Sequence, residues 1–345
     1  MDENDGGFSS KFNERYSILT RKITRMLSED SRMSVLEMSK ALGISRRTIK
    51  EKIKKAEEEL QIRYTLELNS EVLKMNNAHL IMIKFYGKPD YEEIKRVLMK
   101  SYIPQIVVLT KGTFDMLIFA NAITSNDYVY WDKTTQVMFS KYGVLWQSSD
   151  IALEQLGFFP TRNEFIERLG IPQKEKDMLK LLNANSRISF REISEKLNMH
   201  FNTVAYNFNK LVEQNYIKRF TLVMTPPKDI TLMAMLGKYV LSENFEKEAS
   251  QMRKTVTFAD DPYSLISRIF LSNQLVGSYD YFSFGAFDNT EMAMAKDVKY
   301  YKKLFKRHRV KVMYGELTKV LIGDLPLRSL ETAKVHHTIK WTAPD

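Results

Sequence analysis

The sequence predicts an α+β fold in which one two-domain unit is written twice along the chain. The first observation is an internal repeat, since SRMSVLEMSKALGIS at 31–45 aligns without a gap with SRISFREISEKLNMH at 186–200. The second is a later repeat, in which KGTFDMLIFA at 111–120 aligns with VGSYDYFSFG at 276–285 and a glycine and an aspartate occupy matching positions. The third is that both halves alternate apolar runs and amphipathic segments in the same order, which favours sheets with helices on one face.

Composition limits the class of protein and the class of partner. The 345 residues are enough for two or more compact units. A net charge of +10 favours anionic partners and leaves nucleic acid and acidic membrane surfaces open. The absence of cysteine excludes disulfides, thiolate metal sites and cysteine nucleophiles. The start MDENDGGFSSK does not have the pattern of a secretory signal, and the apolar runs are too short to span a bilayer, so we expect a soluble, cytoplasmic protein.

The first domain of each copy is predicted as three short helices followed by one strand. A serine N-cap with a glutamate three residues later predicts a capping box at the second helix. These pairs are Ser34 with Glu37 in copy one, and Ser189 with Glu192 in copy two. Gly43 ends that helix in copy one and Asn198 does so in copy two, because both tolerate the left-handed conformation. The strands YTLEL at 64–68 and FTLVM at 220–224 are predicted to follow as wings.

The second domain of each copy is predicted as strand, helix, strand, strand, helix, strand, a βαββαβ or ferredoxin-like order. In copy one the segments are 78–86, 91–100, 103–110, 114–121, 126–141 and 144–152. In copy two they are 231–240, 244–254, 264–273, 279–287, 290–308 and 310–322. An antiparallel sheet with helices on one side must cover its other face, so we expect the two sheets of one chain to pack face to face.

Domain boundaries follow from the repeat and from the segment between the copies. FFPTRNEFIERLGIPQ, with two prolines and a glycine, is predicted to be a linker. The predicted division is a disordered tail 1–14, helical domain 15–70, sheet domain 71–157, linker 158–173, helical domain 174–226, sheet domain 227–330 and tail 331–345.

The third helix of copy one, within GISRRTIKEKIKKAEEEL at 43–60, carries an uneven charge. Its apolar residues recur at helical spacing and predict one buried face, formed by Ile49, Ile53, Ala56 and Leu60. Over residues 45–55, six basic residues against one acidic residue give +5. As an isolated helix this is most simply a solvated charged face. Within a helix, tight turn, helix arrangement, the second of the two helices is the one placed in the DNA major groove.

The helix–turn–helix therefore favours contacts to phosphates and base edges from the outer face of that third helix. The predicted DNA-binding residues of copy one are Ser45, Arg46, Arg47, Thr48, Lys50, Lys54 and Lys55. Acidic residues at a helix C-terminus oppose the helix dipole. The sequence interpretation therefore assigns the three consecutive glutamates, Glu57 to Glu59, to docking orientation rather than to stability.

GISRRTIKEKIKKAEEELQI followed by YTLELN resembles the winged helix–turn–helix of the Lrp/AsnC regulators, the archaeal and bacterial feast/famine family. The resemblance implies that the βαββαβ domains are RAM domains, whose sheets pair in dimers and form a small-molecule pocket between subunits. Two copies in one chain depart from the family pattern and predict an intrachain pseudo-dimer.

GTFD and GSYD resemble the family's Gly-x-aromatic-Asp turn, which implies an effector site there. The implied residues are Gly112, Thr113, Asp115, Gly277, Ser278 and Asp280. The structural alternative is that each glycine adopts positive φ in a tight turn while each aspartate caps backbone amides.

The third helix of copy two has lost most of its charge. Over residues 200–210 only Lys210 is charged, which gives +1, and the outward stripe becomes Asn202, Ala205 and Asn209. The predicted DNA-binding residues of this copy are Asn202, Thr203, Tyr206 and Lys210. An asparagine can bind adenine with two hydrogen bonds. The alternative is that this domain no longer binds DNA specifically and serves as a scaffold or docking site.

The sequence thus predicts a non-enzymatic, sequence-specific DNA-binding transcriptional regulator. Its expected partners are double-stranded DNA, an amino acid-like effector and a second copy in a homodimer, with no membrane partner, cofactor, metal or catalytic residue. One alternative is an adaptor that recruits transcription machinery through copy two. Another is an enzyme, because siroheme decarboxylases resemble the same two-domain arrangement. That reading requires haem-binding histidines, and His79 and His308 do not form a ligand cluster in the sequence pattern.

Overall fold

The computed structural model describes residues 15–75, 77–156, 160–225, 230–238, 269–287 and 311–325. The described helices are Ile18–Glu29, Val35–Leu42, Arg46–Leu60, Tyr91–Met99, Ser125–Phe139, Asn163–Ile166, Gln173–Ala184, Phe190–Leu197 and Phe201–Glu213, with a 3-10 turn at Ser140–Tyr142. The described strands are β1 Ile62–Leu68, β2 Asn77–Phe85, β3 Pro104–Gly112, β4 Met116–Ala122, β5 Val144–Leu156, β6 Ile217–Met224, β7 Thr231–Lys238, β8 Ile269–Gly277, β9 Tyr281–Phe287 and β10 Lys311–Ile322. The helices predicted at 244–254 and 290–308 lie outside the described residues.

Eight strands form one closed antiparallel sheet in the order β10-β3-β4-β2-β5-β8-β9-β7. Copy one contributes β3-β4-β2-β5 and copy two contributes β8-β9-β7-β10, which is the same strand order twice. The copies meet at two seams, where β5 pairs with β8 and β10 pairs with β3. Each seam joins the last strand of one copy to the second strand of the other, so the arrangement is a pseudo-twofold dimer within one chain. The predicted fold class is confirmed.

The inner faces of the two half-sheets pack on each other. The Phe119 ring of copy one lies 5.1 Å from Phe282 and 5.5 Å from Phe284 of copy two, centroid to centroid. The outer face of the first half-sheet is covered by the helices Tyr91–Met99 and Ser125–Phe139, whose apolar side chains share its core. Burying both faces removes a large apolar area from water, which is the main stabilising contribution to such a fold.

The two strands predicted as wings pair with each other across the copies. β1 and β6 form an antiparallel two-stranded sheet in which Thr65 faces Thr221. The two wing strands thus lie side by side, and the backbone groups of each are satisfied by the strand of the other copy. This sheet joins the two helix–turn–helix units into one body.

Two expectations differ from the structure. Of the strand predicted at 264–273, residues 264–268 lie outside the described ranges, and the described strand Ile269–Gly277 runs past the predicted end because β5 holds Val276 and Gly277 in register across the seam. The segment predicted as a linker contains the helix Asn163–Ile166. Phe165 and Ile166 are fully buried in the core of the second helix–turn–helix, so this segment is part of that packed domain.

Candidate nucleic-acid interface

The first recognition helix, Arg46–Leu60, is positioned by caps and by its apolar face. Its N-cap is Ser45, whose hydroxyl accepts from the Thr48 amide at 3.2 Å. The preceding helix ends at Gly43, which adopts φ 67° and makes the tight turn. The apolar face packs on the first two helices of the domain through Ile49, Ile53, Ala56 and Leu60. Both predicted capping boxes are present, at Ser34 and Ser189.

The opposite face of the first recognition helix is basic and open to solvent. The Arg47 side chain is 89% exposed and that of Lys54 is 77% exposed. Ser45, Arg46, Lys50 and Lys55 are also exposed, and Thr48 is half-buried. Arg47 Nε lies 3.0 Å from Glu51 Oε1 one turn on. An exposed pair of this kind contributes little to stability, so a phosphate can replace the glutamate at small cost.

The glutamates at the end of this helix have structural partners. Glu58 and Glu59 lie one turn after Lys54 and Lys55, with N–O distances of 3.9 and 3.5 Å. Glu57 Oε1 accepts a 2.7 Å hydrogen bond from the Tyr64 hydroxyl on β1. Burial, together with this carboxylate, raises the pKa of Tyr64. Local pairing and attachment to β1 therefore give the glutamates structural partners, and their part in docking orientation stays a prediction.

The second recognition helix, Phe201–Glu213, has no charged side chain from residue 201 to residue 209. His200 caps it, with Nδ1 accepting from the Asn202 amide at 3.3 Å. Asn202 and Thr203 are exposed, and Tyr206 is 67% exposed. Phe201, which is not among the predicted DNA-binding residues, is also half exposed. The repeat points to it, because this aromatic residue occupies the first helical position, where copy one has Arg46.

Lys210 is not available to DNA in the way the sequence predicts. Its Nζ is bonded to Oε1 of Glu175, a carboxylate only 3% exposed, on the helix Gln173–Ala184. That bond raises the pKa of Lys210. A cation that neutralises a buried carboxylate cannot leave it without a large desolvation penalty. The only charged residue of segment 200–210 is thus paired with a buried carboxylate.

The junction between the two helix–turn–helix units has reciprocal contacts. Arg32 Nη1 donates to the Ser186 carbonyl at 2.6 Å, and Arg187 Nη1 donates to the Ser31 carbonyl at 2.7 Å. The Arg32 guanidinium also lies 4.9 Å from the centre of the Phe208 ring. This Ser-Arg pair belongs to the repeat but is not among the predicted functional residues. Its recurrence in both copies points to the junction, since contacts across a twofold axis use the same residues from each side.

The turns implied as an effector site lie at the seams between the copies. Thr113 of copy one bonds with Tyr314 on β10, its amide donating to the Tyr314 carbonyl at 3.0 Å. Asp115 Oδ1 is 2.9 Å from Lys84 Nζ, and its Oδ2 accepts from the Phe85 amide at 2.8 Å. Gly112 has φ 150°, and a Cβ there would lie 2.5 Å from the Tyr314 carbonyl oxygen. These contacts fit the structural alternative, in which the aspartate caps amides and the glycine permits a close approach.

The corresponding turn of copy two repeats this arrangement at the other seam. Gly277 has φ 133° and its carbonyl accepts from Lys238 Nζ at 2.7 Å. The Asp280 amide donates to the Gly237 carbonyl at 2.8 Å. Ser278 is half-buried between them. Within the described ranges, no three histidine or acidic side chains converge as a metal site would require, and no helix has the length and apolarity to cross a bilayer.

Comparison with known proteins identifies the family. The family described as winged helix-turn-helix DNA-binding matches residues 17–59 and 171–218, one match in each copy. An uncharacterised HTH-type transcriptional regulator of Pyrococcus furiosus is 32% identical over 137 residues, covering 39% of this chain and 90% of the relative. The chain belongs to the HTH-type transcriptional regulators. A second relative of the same description, from Pyrococcus abyssi, is 35% identical over 103 residues, covering 30% of this chain and 69% of its own.

The predicted winged helix–turn–helix regulator with a tandem duplication is thereby confirmed, and the chain is a DNA-binding transcriptional regulator. A solved structure described as the siroheme decarboxylase NirDL is similar over 90% of this chain and 94% of its own. The TM-score is 0.57 and the identity is 12%. At that identity the likeness concerns the fold, and the regulator shares with it the arrangement of two helical and two sheet domains in one chain.

Proposed function

We propose that this regulator binds its DNA sequence chiefly through the first recognition helix. The observation that carries the proposal is the difference between two equivalent helices, +5 against +1, with Lys210 committed to Glu175. Phosphate contacts supply most of the salt-dependent affinity, and base contacts supply specificity. The first recognition helix has side chains for both kinds of contact, whereas the second has only neutral side chains from residue 201 to residue 209.

The roles within the interface follow from position along the helix. The N-terminal turn of a recognition helix meets base edges, so Arg46, Arg47 and Lys50 are assigned to bases and nearby phosphates. Lys54 and Lys55, further along, are assigned to the DNA backbone. Ser45 and Thr48 close the N-terminus, where free amides favour a phosphate. In copy two, Asn202, Thr203 and Tyr206 are proposed to contribute at most contacts without charge.

The decisive experiment compares matched variants on a DNA fragment selected by the full chain. Arg47→Ala should weaken binding by about 1–3 kcal/mol, the discrimination typical of an arginine–guanine pair. Arg191→Ala is the control, because Arg191 is equally exposed and has the same one-turn pair, at 3.0 Å from Glu195. Fluorescence anisotropy at fixed salt gives the dissociation constants. Equal losses for Asn202→Ala and Arg47→Ala would contradict the proposed asymmetry.

A second candidate role concerns copy two alone, as a docking site for transcription machinery. Its supporting observation is the neutral, partly aromatic outer face, with Phe201 and Tyr206 exposed. Interface cores are depleted in charge and enriched in aromatic residues. In a reconstituted transcription assay, Tyr206→Ala should change transcript output while DNA affinity stays unchanged. If Tyr206→Ala lowers DNA affinity as much as output, the side chain belongs to the DNA interface.

We propose a non-enzymatic role rather than a decarboxylase activity. His79, the histidine of the first RAM domain, stacks on Tyr128 with ring centroids 3.4 Å apart and bonds through Nδ1 to Asp150 at 2.8 Å. A histidine packed in this way is held as a structural side chain. Visible absorption spectra of the chain mixed with haem provide the test, since a saturable Soret shift that His79→Gln abolishes would support the enzyme reading.

Three finer expectations stay proposals. The regulator is proposed to act in the cytoplasm as a homodimer of these pseudo-dimeric chains.

An amino acid-like effector is proposed at the seams, near Gly112 and Gly277. Because Asp115 is engaged with Lys84, an effector there would bind through backbone groups or displace that lysine. Thermal-shift screening of the twenty amino acids, with Thr113→Val as the variant, tests this site.

A further inference from the structure

Tyr64 on β1 and Phe220 on β6 occupy equivalent places at the junction between the copies. The Ser186 amide donates to the Tyr64 carbonyl at 3.3 Å. On the other side of the junction, the Ser31 amide donates to the Phe220 carbonyl at 3.0 Å. The arginine that follows each serine lies over the same ring, 5.1 Å from the Tyr64 centroid and 5.6 Å from the Phe220 centroid. The backbone and arginine contacts of the two rings are therefore of the same kind.

The two rings differ in the hydroxyl group of Tyr64. This hydroxyl donates a 2.7 Å hydrogen bond to Oε1 of Glu57 on the first recognition helix. Phe220 has no hydroxyl, and the repeat places Val212 where copy one has Glu57. The repeat therefore gives copy two no counterpart of this bond.

The bond between Tyr64 and Glu57 is a strong one. Burial and the Glu57 carboxylate raise the pKa of Tyr64, so the hydroxyl keeps its proton and remains a donor. A hydrogen bond to an ionised acceptor is about twice as strong as a neutral one. Arg187 of copy two lies over the Tyr64 ring and restricts its movement. The bond therefore fixes the end of the recognition helix against the junction.

The chain connection at this end is also shorter in copy one. The helix Arg46–Leu60 joins β1 at Ile62 through Gln61 alone, which adopts φ 46°. The second recognition helix ends at Glu213, and β6 begins at Ile217. The first recognition helix is thus coupled to the strand pair both through the backbone and through a side chain.

The tilt of the helix decides where its first side chains lie. Arg47 precedes Glu57 by ten positions, which is about 15 Å at the helical rise. A rotation of about 5° around the Glu57 end would move the Arg47 backbone by about 1 Å, whereas hydrogen-bond lengths vary by only about 0.5 Å. Apolar packing is not directional, so the buried face of the helix defines this tilt less sharply than a hydrogen bond does.

We propose that Tyr64 is a positioning residue for DNA reading, which fixes the tilt of the first recognition helix through Glu57 so that Arg46 and Arg47 reach base edges. This proposal rests on the proposed role of that helix in DNA binding. Base contacts depend on the tilt, because they need defined geometry. Lysines on flexible stems can reach phosphates over a range of tilts. Loss of the Tyr64 bond should therefore reduce specificity more than general affinity.

The experiment measures the ratio of two affinities of the full chain by fluorescence anisotropy, one for a DNA fragment selected by that chain and one for a scrambled fragment of equal length. Tyr64→Phe removes only the hydroxyl and should lower this ratio about fivefold or more, the lower limit for one bidentate base contact. The affinity for the scrambled fragment and its salt slope should stay unchanged. A smaller folded fraction would lower both affinities by the same factor, so a purely structural role would not change the ratio.

Variants at Glu57 separate the hydrogen bond from the charge. Glu57→Ala and Glu57→Gln both remove the negative charge, but only glutamine keeps an acceptor for the Tyr64 hydroxyl. Glu57→Ala should lower the ratio as Tyr64→Phe does, and the double variant should lower it no further. Glu57→Gln should keep most of the ratio. Equal ratios for Glu57→Ala and Glu57→Gln would overturn the proposal.

Tyr102→Phe is the matched control. The Tyr102 hydroxyl donates to Asp127 Oδ2 at 2.9 Å, and the Arg168 guanidinium lies 5.6 Å from the ring centroid. These are the same two kinds of contact, placed in the first sheet domain. Tyr102→Phe should leave the ratio unchanged, and a fall equal to that of Tyr64→Phe would overturn the proposal.

Arg47→Ala separates failure of the positioning role from failure of the proposed function. If Arg47→Ala lowers the ratio and Tyr64→Phe does not, the first recognition helix reads DNA without the Tyr64 bond, and the positioning role is overturned. If Arg47→Ala leaves the ratio unchanged, the proposed role of that helix fails, and the positioning role fails with it.

Discussion

The hydroxyl oxygens of Ser31 and Ser186 lie 2.5 Å apart, although 155 residues separate them in the chain. Both residues are fully buried. Each occupies the same position in its copy, and each is followed by an arginine that donates to the backbone of the other copy. The pair therefore marks the pseudo-twofold axis of the DNA-binding module, at the point where equivalent residues must touch.

This contact predicts a non-additive mutant cycle. Ser31→Ala should destabilise the chain by about 1–3 kcal/mol, because it leaves the Ser186 hydroxyl buried without its partner. Adding Ser186→Ala should cost less than a second such loss, since no unpaired hydroxyl then remains. Urea denaturation of the two single variants and the double variant measures this. Strictly additive losses would show that the two hydroxyls do not depend on each other.

Lys54 and Lys210 should behave in opposite ways, although both are lysines on recognition helices. Lys54→Ala should weaken binding to all DNA sequences alike and reduce the salt slope by about 0.9, the value for one phosphate contact. Lys210→Ala should leave the slope unchanged and destabilise the fold by about 1–3 kcal/mol, because Glu175 loses its partner. Binding isotherms at several salt concentrations, with denaturation curves, check both. A changed salt slope for Lys210→Ala would show that Lys210 contacts a DNA phosphate.

The operator of one chain should be asymmetric. Dimeric helix–turn–helix proteins place two equivalent helices about 34–36 Å apart and bind palindromes. Here the paired helices differ at most outward positions, so one chain should protect a single half-site strongly. If chains dimerise, palindromy should reappear at a wider spacing between copy-one domains. Hydroxyl-radical footprinting tests this, and a short perfect palindrome protected by one chain would contradict it.

Pairing within the chain should make stability independent of concentration. Both seams and the Phe119 contacts join halves of one chain, so a single chain should stay folded after the proposed homodimer dissociates. At concentrations below that dissociation the thermal midpoint should not change across a hundredfold dilution. Phe119→Ala should cost about 3–5 kcal/mol through the cavity it leaves between the half-sheets. Tyr130→Ala, at a side chain 76% exposed, is the control and should cost little. A midpoint that falls on dilution would indicate that the sheets pair between chains.

Acid should destabilise the first sheet domain through His79. Burial lowers the pKa of His79 below its ordinary 6.5, against the opposing charges of Asp150 and Asp132. The unfolded state then binds more protons than the folded state below pH 6.5, so stability falls as the pH drops from there through the folded pKa. His79→Gln should flatten this part of the stability profile measured in urea. An unchanged profile would assign the acid sensitivity to other groups.

The elements of copy one could be predicted within a few residues, because apolar periodicity and turn residues bracket each of them. The caps of the helices before the recognition helices could be predicted for the same reason, since Ser34 and Glu37 act within one turn. Contacts between residues that lie far apart in the sequence could not be predicted. Apolar periodicity does not reveal that β1 pairs with β6 or that Glu175 binds Lys210. These depend on how the two copies dock, which is a property of the folded chain.

The β1–β6 pairing and the two seams have a consequence for how such a regulator can change. In an assembly of identical chains, every substitution appears in both halves, so the two DNA-contacting helices cannot diverge. Here each half is encoded separately, and a substitution at Asn202 leaves Arg47 as it was. Covalent joining thus relaxes the requirement that both halves perform the same task, while the shared sheet keeps them together.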